Sequence, residues 1–311
     1  MTIKAPTPTI LPVRRTIQLL ASRRFLRVVA IHILKNNLKR AKIQVPLLMG
    51  IHGPTGEGKT FQCENILKYI GVKRFLISGG QLDNPVPGQS ASLVRSTYIR
   101  ASDAIRSGEC SLAVVLINDI DTGLGRWGES AQYTANQVAV FGELMHLVDY
   151  PTMVESKDTV RVPIVITGND FTKLYEPLVR AGRMAAFEWI PTLEEKVEVL
   201  TWIFPEMTAE ECTRLVLALR EVVKAEFPDN PVDPSIAFYA HLRANMLDED
   251  LWREVENSGL DKTVDNLLRG VEPDFSLGIR YERVLNEGID LVRSGKLISH
   301  LSARRNNNQK T

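Results

Sequence analysis

Residues Gly53-Pro54-Thr55-Gly56-Glu57-Gly58-Lys59-Thr60 form a complete G-x-x-x-x-G-K-T loop, a pattern that can cradle a nucleoside triphosphate. Its glycines let backbone N–H groups turn inward on phosphate oxygens. Lys59 brings a positive charge to the β- and γ-phosphates, and the Thr60 hydroxyl suits Mg²⁺. A second group with chemical potential is Asn118-Asp119-Ile120-Asp121, which puts acids at the tip of the apolar run Val114-Val115-Leu116-Ile117. In an NTPase such a tip supplies one group for the metal shell and one to orient the attacking water, and Asp119 is the expected water-orienting group. A helix cap or a turn is the competing role for either acid.

These groups act together only if the chain brings them to one edge of a sheet. The apolar run Val45–Ile51 predicts a strand leading into the loop. The stretch after it, from Phe61 to Ile70, predicts a helix, with apolar positions 63, 66, 67 and 70 and Gly71 as its stop. Phosphates held by the loop would then also sit on a helix N-terminus. Short buried strands are expected at 75–78, 112–117, 162–167 and 186–190, separated by helical stretches, which predicts an α/β fold with a five-stranded parallel sheet. From about residue 191 the pattern is helical only. Thr192…Glu195 and Thr208…Glu211 read as capping boxes, and Asp233-Pro234 as an N-cap followed by a first-turn proline. The expected organisation is a poorly ordered basic arm at 1–24, an α/β subdomain at 25–190, a helical lid at 191–303 and a polar tail at 304–311.

With 311 residues, 44% of them hydrophobic, the chain can bury a sizeable core. No apolar run reaches the ~18 residues of a membrane span, so no membrane partner is expected. Cys63, Cys110 and Cys212 form no C-x-x-C pair, which argues for a reducing compartment and against a disulfide framework or a zinc site. Charge is uneven: residues 1–56 hold ten Lys or Arg and no acid, while the remainder holds 28 basic and 37 acidic residues, or −9. Such an arm suits an acidic partner, a solvated tail or an organelle transit peptide.

Four stretches together resemble the Rubisco activase family of AAA+ ATPases. They are His52–Glu64, Ile117–Asp121, Gln132-Tyr133-Thr134 and Val162–Phe171, and Leu174–Met184 and Phe238–Ala244 continue the likeness across roughly residues 25 to 295. The resemblance implies an AAA+ P-loop module followed by a helical lid. It implies binding of ATP and Mg²⁺ through Gly53, Pro54, Thr55, Gly56, Glu57, Gly58, Lys59, Thr60 and Phe61, with Thr60, Asn118 and Asp119 toward the metal. It gives Asn169 the role of sensor 1, Arg243 that of sensor 2, and Arg180 and Arg183 those of arginine fingers acting on a neighbouring subunit of a homo-oligomeric, hexameric ring. Tyr133 is implied as a pore-loop residue gripping the client, Rubisco, whose closed active site would be disrupted to release an inhibitory sugar phosphate.

Asn118 stands where most AAA+ proteins carry an acid, a departure the activases share. A neutral amide holds metal-shell waters less strongly, so slow ATP turnover is expected. The stretch Gln81–Gln89 differs from usual activase sequences at the first pore loop. An activase-like ATPase with another protein client therefore stays open, as does a nucleic-acid-associated ATPase, suggested only by the basic first 56 residues. A cyanobacterial-type, cytoplasmic or carboxysome-associated location is expected, or the chloroplast stroma if the basic N-terminus is a transit peptide.

Overall fold

The computed structural model describes residues 20–38, 45–125, 133–229, 232–272 and 278–295. The expected tail at 304–311, Gln132 and the arm up to residue 19 lie outside the described residues. The rest of the expected arm is packed: Ala21 and Ser22 are buried, and Ser22 caps the helix that contains Arg23 and Arg24.

In chain order the first half contains α1 (Arg23–Asn36), β1 (Leu48–His52), α2 (Lys59–Ile70), β2 (Lys73–Ser78), α3 (Gly79–Leu82), α4 (Gln89–Arg106), β3 (Ala113–Asn118), α5 (Ile120–Leu124) and α6 (Ala135–Asp149). A small hairpin, β4 (Met153–Val154) and β5 (Lys157–Asp158), precedes β6 (Ile164–Thr167), α7 (Glu176–Val179) and β7 (Met184–Glu188). The main sheet runs β2-β3-β6-β1-β7 and every pairing in it is parallel. β6 begins after Pro163, two residues later than expected, since a proline has no N–H for the ladder.

Parallel strands are buried on both faces, and alternate residues divide between two cores. Val114, Leu116, Met49, Ile51 and Val165 pack with Phe25, Val29 and Ile66 of α1 and α2. Val115, Ile117, Leu48, Ile164 and Ile166 pack with Val94, Tyr98, Phe141 and Leu144 of α4 and α6. Each βα crossover returns the chain to the same edge, so the loops after β1, β3 and β6 meet there.

The second half is helical: α8 (Leu193–Ile203), α9 (Ala209–Glu226), α10 (Ile236–Ser258), α11 (Leu260–Leu268) and α12 (Tyr281–Arg293). It buries its own core around Leu200, Phe204, Leu215, Leu219, Tyr239, Leu242 and Val292. The Thr192 and Thr208 capping boxes both form. The Asp233-Pro234 start does not. Ser235 is the N-cap of α10, because Arg220 holds the Asp233 carboxylate at 2.6 Å and Lys196 donates to the Pro234 carbonyl at 2.8 Å.

Candidate nucleotide site

The loop after β1 makes one sharp pass between β7 and the lid. Gly53 has φ +143, and a Cβ there would lie 2.2 Å from the Trp189 carbonyl oxygen, so only glycine fits. Gly58, with φ +72, turns the chain into α2 and leaves the helix N-terminus open toward the loop. At that start Lys59 Nζ donates to the carbonyls of Gly53 (2.9 Å) and Pro54 (2.8 Å) and to Asn169 Oδ1 (3.0 Å). Burial lowers its pKa from the ordinary lysine value, while Asp119, Asp121 and Glu57 act the other way. Lys59 and Asn169 come from opposite ends of the chain's first half, and the sheet order puts them side by side, with β6 between β1 and β3.

Thr167, the last residue of β6, joins three of the expected groups although no motif singles it out. Its hydroxyl accepts from Asp119 N at 3.1 Å, donates to Asn118 Oδ1 at 3.3 Å and lies 3.3 Å from Thr60 Oγ1. A hydroxyl has one proton. With that proton on Asn118, Thr60 must donate in the third contact, which turns the lone pairs of Thr60 away and leaves them for a hard cation.

The two acids after β3 separate cleanly. Asp121 is fully buried, and its Oδ2 accepts from the backbone N–H groups of Asn169 (2.9 Å) and Asp170 (3.0 Å). It therefore holds the loop that carries Asn169. Asp119 is exposed, and its backbone is left-handed at φ 51, ψ 50, a strained setting for a residue other than glycine. Partial desolvation and then the like charge of Asp121 raise its pKa above the usual aspartate value, with Lys59 opposing.

On its other side the loop is held by the lid and by Trp189, just after β7. The Gly56 carbonyl accepts from Ala237 N (2.9 Å), the Glu57 carbonyl accepts from Trp189 Nε1 (2.7 Å), and Glu57 Oε2 accepts from Ile236 N (3.4 Å). The buried Glu57 carboxylate also lies 3.6 Å from Lys196 Nζ. Desolvation raises its pKa and Lys196 opposes that. Beside this junction a cleft of about 410 Å³ is lined by Gly58, Phe61, Trp202, Ile203, Ala237 and Ala240 among others. Apolar walls next to inward-facing glycines and a lysine fit a flat base with its phosphates on the helix start. The oxygen donors Thr60, Asn118 and Asp119 fit a hard cation such as Mg²⁺.

The remaining expected residues lie elsewhere. Arg243, on α10, makes a bidentate pair with Glu206, both contacts 2.7 Å, and this holds the Glu206 carboxyl below its usual pKa. It is thus bound within the lid. Arg180 and Arg183 flank the start of β7, where Leu48 N donates to the Arg183 carbonyl, so they sit at the sheet edge opposite the loop. Arg180 is exposed, while Arg183 donates to the Pro177 carbonyl at 3.0 Å and lies 3.6 Å from Asp149. Tyr133 donates to the Lys173 carbonyl at 3.0 Å, and its ring packs edge-on against Phe141 and Tyr175. These contacts engage both the hydroxyl and the ring of Tyr133, which stays partly exposed. The loop between α3 and α4 is clamped by Asn136, which donates to the Asn84 carbonyl (2.6 Å) and accepts from Gly88 N (3.2 Å), leaving Val86 exposed at its tip.

Residues 49–192 match the ATPase family associated with various cellular activities (AAA). The chain is also similar to the ribulose bisphosphate carboxylase/oxygenase activase of an Anabaena species, 41% identical over 269 residues that cover 82% of this chain and 62% of the relative. Activase 1, chloroplastic, of Nicotiana tabacum is 37% identical over 280 residues, covering 86% of this chain and 60% of the relative. The chloroplastic activase of Chlamydomonas reinhardtii is 38% identical over 290 residues, covering 88% and 67%. The chain therefore spans about three fifths of the length of the first two of these relatives.

Proposed function

Because this chain belongs to the ribulose bisphosphate carboxylase/oxygenase (Rubisco) activase family of AAA ATPases, we propose that it hydrolyses ATP and uses the cycle to open closed Rubisco active sites, freeing a trapped inhibitory sugar phosphate. The observation that carries the ATPase half is the convergence of Lys59, Thr60, Asp119 and Asn169, from three different loops, around Thr167 and the Lys59 ammonium.

In the proposed mechanism ATP lies with its base in the cleft beside Phe61 and its phosphates against the loop N–H groups. Lys59 exchanges Gly53, Pro54 and Asn169 Oδ1 for phosphate oxygens, which frees the Asn169 amide to hold the attacking water together with Asp119. Thr60 and the Asn118-Asp119 tip would hold a Mg²⁺ ion, which would supply charge neutralisation to the phosphates. Arg180 and Arg183 act on the γ-phosphate of a neighbouring copy in a homo-oligomeric, hexameric ring. Glu57, bonded to Lys196 and to the start of α10, carries movement of the loop into the lid. A cytoplasmic or stromal site of action agrees with a Rubisco client, and among the described residues no helix is long and apolar enough to cross a membrane.

The test is reactivation of inhibited Rubisco from the same organism, with ATP and with each of two proteins, the wild type and Lys59→Ala. Wild-type reactivation that Lys59→Ala lacks is the expected result. Hydrolysis by folded Lys59→Ala at the wild-type rate would overturn the ATPase assignment. Intact hydrolysis without reactivation would move the motor to a different protein client.

A further inference from the structure

Gln62, the fourth residue of α2, is 1% exposed and lines the apolar cleft beside the phosphate loop. Its two ends differ. Oε1 accepts from the backbone N–H of Ser22 at 2.9 Å, whereas Nε2 has no hydrogen-bond partner among the described residues. The orientation of this amide is fixed by chemistry, because Ser22 N–H can only donate and so requires the oxygen. The NH₂ group must then lie on the cleft side, and it is the nearest atom, at 4.0 Å, to where a Cβ on Gly58 would stand. Burying an amide donor without a partner is unfavourable, and a cleft lined mainly by apolar side chains offers it none.

We propose that Gln62 selects the nucleotide, its Nε2 donating to a hydrogen-bond acceptor on the nucleoside, either a purine ring nitrogen or a ribose oxygen. This rests on the ATP-binding reading above and extends it to a side chain that loop and strand-tip motifs do not include. A site built to donate to one substrate atom discriminates against an analogue lacking that atom, because the donor is then left buried and unpaired. The same amide links the nucleoside to the start of α1. Ser22 caps that helix, and its hydroxyl also lies 3.4 Å from Glu195 of the lid. Bound nucleoside would thus be sensed at a point where α1, α2 and α8 meet.

The experiment is calorimetric binding of ATP and of analogues to the full chain. 1-Deaza-, 3-deaza- and 7-deaza-ATP each remove a ring nitrogen, and 2′-deoxy- and 3′-deoxy-ATP each remove a sugar hydroxyl. Two variants accompany the wild type. Gln62→Glu keeps an acceptor for Ser22 N–H and replaces the donor, while Gln62→Met removes both. One analogue is expected to bind wild type about tenfold more weakly than ATP, and both variants to lose about tenfold for ATP with no further loss for that analogue. Which analogue it is separates base from sugar. Wild type that binds ATP and every analogue alike, or losses that add for every analogue in a folded Gln62→Glu protein, would overturn the role of Gln62 and leave the ATP site intact. Wild type that binds no ATP would overturn both.

Discussion

At the carboxyl edge of the sheet Lys59, Thr60, Asn118, Thr167 and Asn169 bond to one another, whereas at the opposite edge Arg180 is exposed and Arg183, half-buried, has the Pro177 carbonyl and one loose ion pair as partners. The first edge holds groups that suit phosphate, metal and water. The second holds Arg180 and Arg183 with the carboxylate of Asp149 beside them. β1 is five residues long, so at ~3.3 Å per residue the two edges are roughly 15 Å apart, farther than Arg183 can reach toward its own loop. Under the function proposed above, the two edges are unlike halves of one site that a second copy would complete.

Mixing variants should produce the largest effect. Arg183→Ala keeps the phosphate loop and Lys59→Ala keeps the arginines, so each alone should lose ATP hydrolysis, the arginine by ~10³-fold or more if it acts as such groups do in known NTPases. Mixed assemblies of the two should regain a measurable share of turnover. If confirmed mixed assemblies regain none, the arginines do not serve a neighbour and the two edges are unrelated.

A smaller effect is expected inside the carboxyl edge. Thr167→Val keeps shape and removes the hydroxyl that joins Asn118, Asp119 and Thr60, so turnover should fall about tenfold while ATP affinity changes little, since neither Lys59 nor the loop N–H groups are touched. Thr167→Ser should restore most of the rate. A full rate in Thr167→Val beside a loss in Thr167→Ser would mean that the methyl group matters and the hydrogen bonds do not.

Much of the carboxyl edge was legible because its parts are local in sequence. The phosphate loop is eight consecutive residues, and the strands at 75–78 and 112–117 appear within a residue or two of their expected places, because apolar runs bounded by turns report burial directly. The bonding roles of Thr167, Asp121 and Gln62 were not legible. Their partners lie 40 residues or more away in the chain, and a threonine at a strand end or a glutamine in a helix looks the same whether it is solvated or central. The Asp233-Pro234 error has the same origin. Asp233, Pro234 and Ser235 sit side by side, and only Arg220 and Lys196, contributed by other helices, decide which of them caps α10. The ring contacts of Tyr133 with Phe141 and Tyr175 are likewise set by packing that its place in the sequence does not report.

The smallest expected effect tests whether the opposite edge is kept for a partner or for the fold. Arg183 lies 3.6 Å from Asp149, and the two side chains keep 32% and 49% of their surface in solvent. An exposed pair of that length contributes little, since water and salt screen it and two side chains must be ordered to make it. Asp149→Asn should therefore shift unfolding free energy by less than ~0.5 kcal/mol in denaturant titrations. It should leave ATP turnover in assembled protein unchanged or slightly higher, because Arg183 keeps its bond to the Pro177 carbonyl and loses a competing anion. A structural ion pair predicts the reverse, a clear loss of stability shared by Asp149→Asn and Arg183→Ala. Should both variants destabilise the isolated chain by 2 kcal/mol or more, on the order of breaking a buried pair, Arg183 would belong to the fold, and the contrast between the two edges would rest on Arg180 alone.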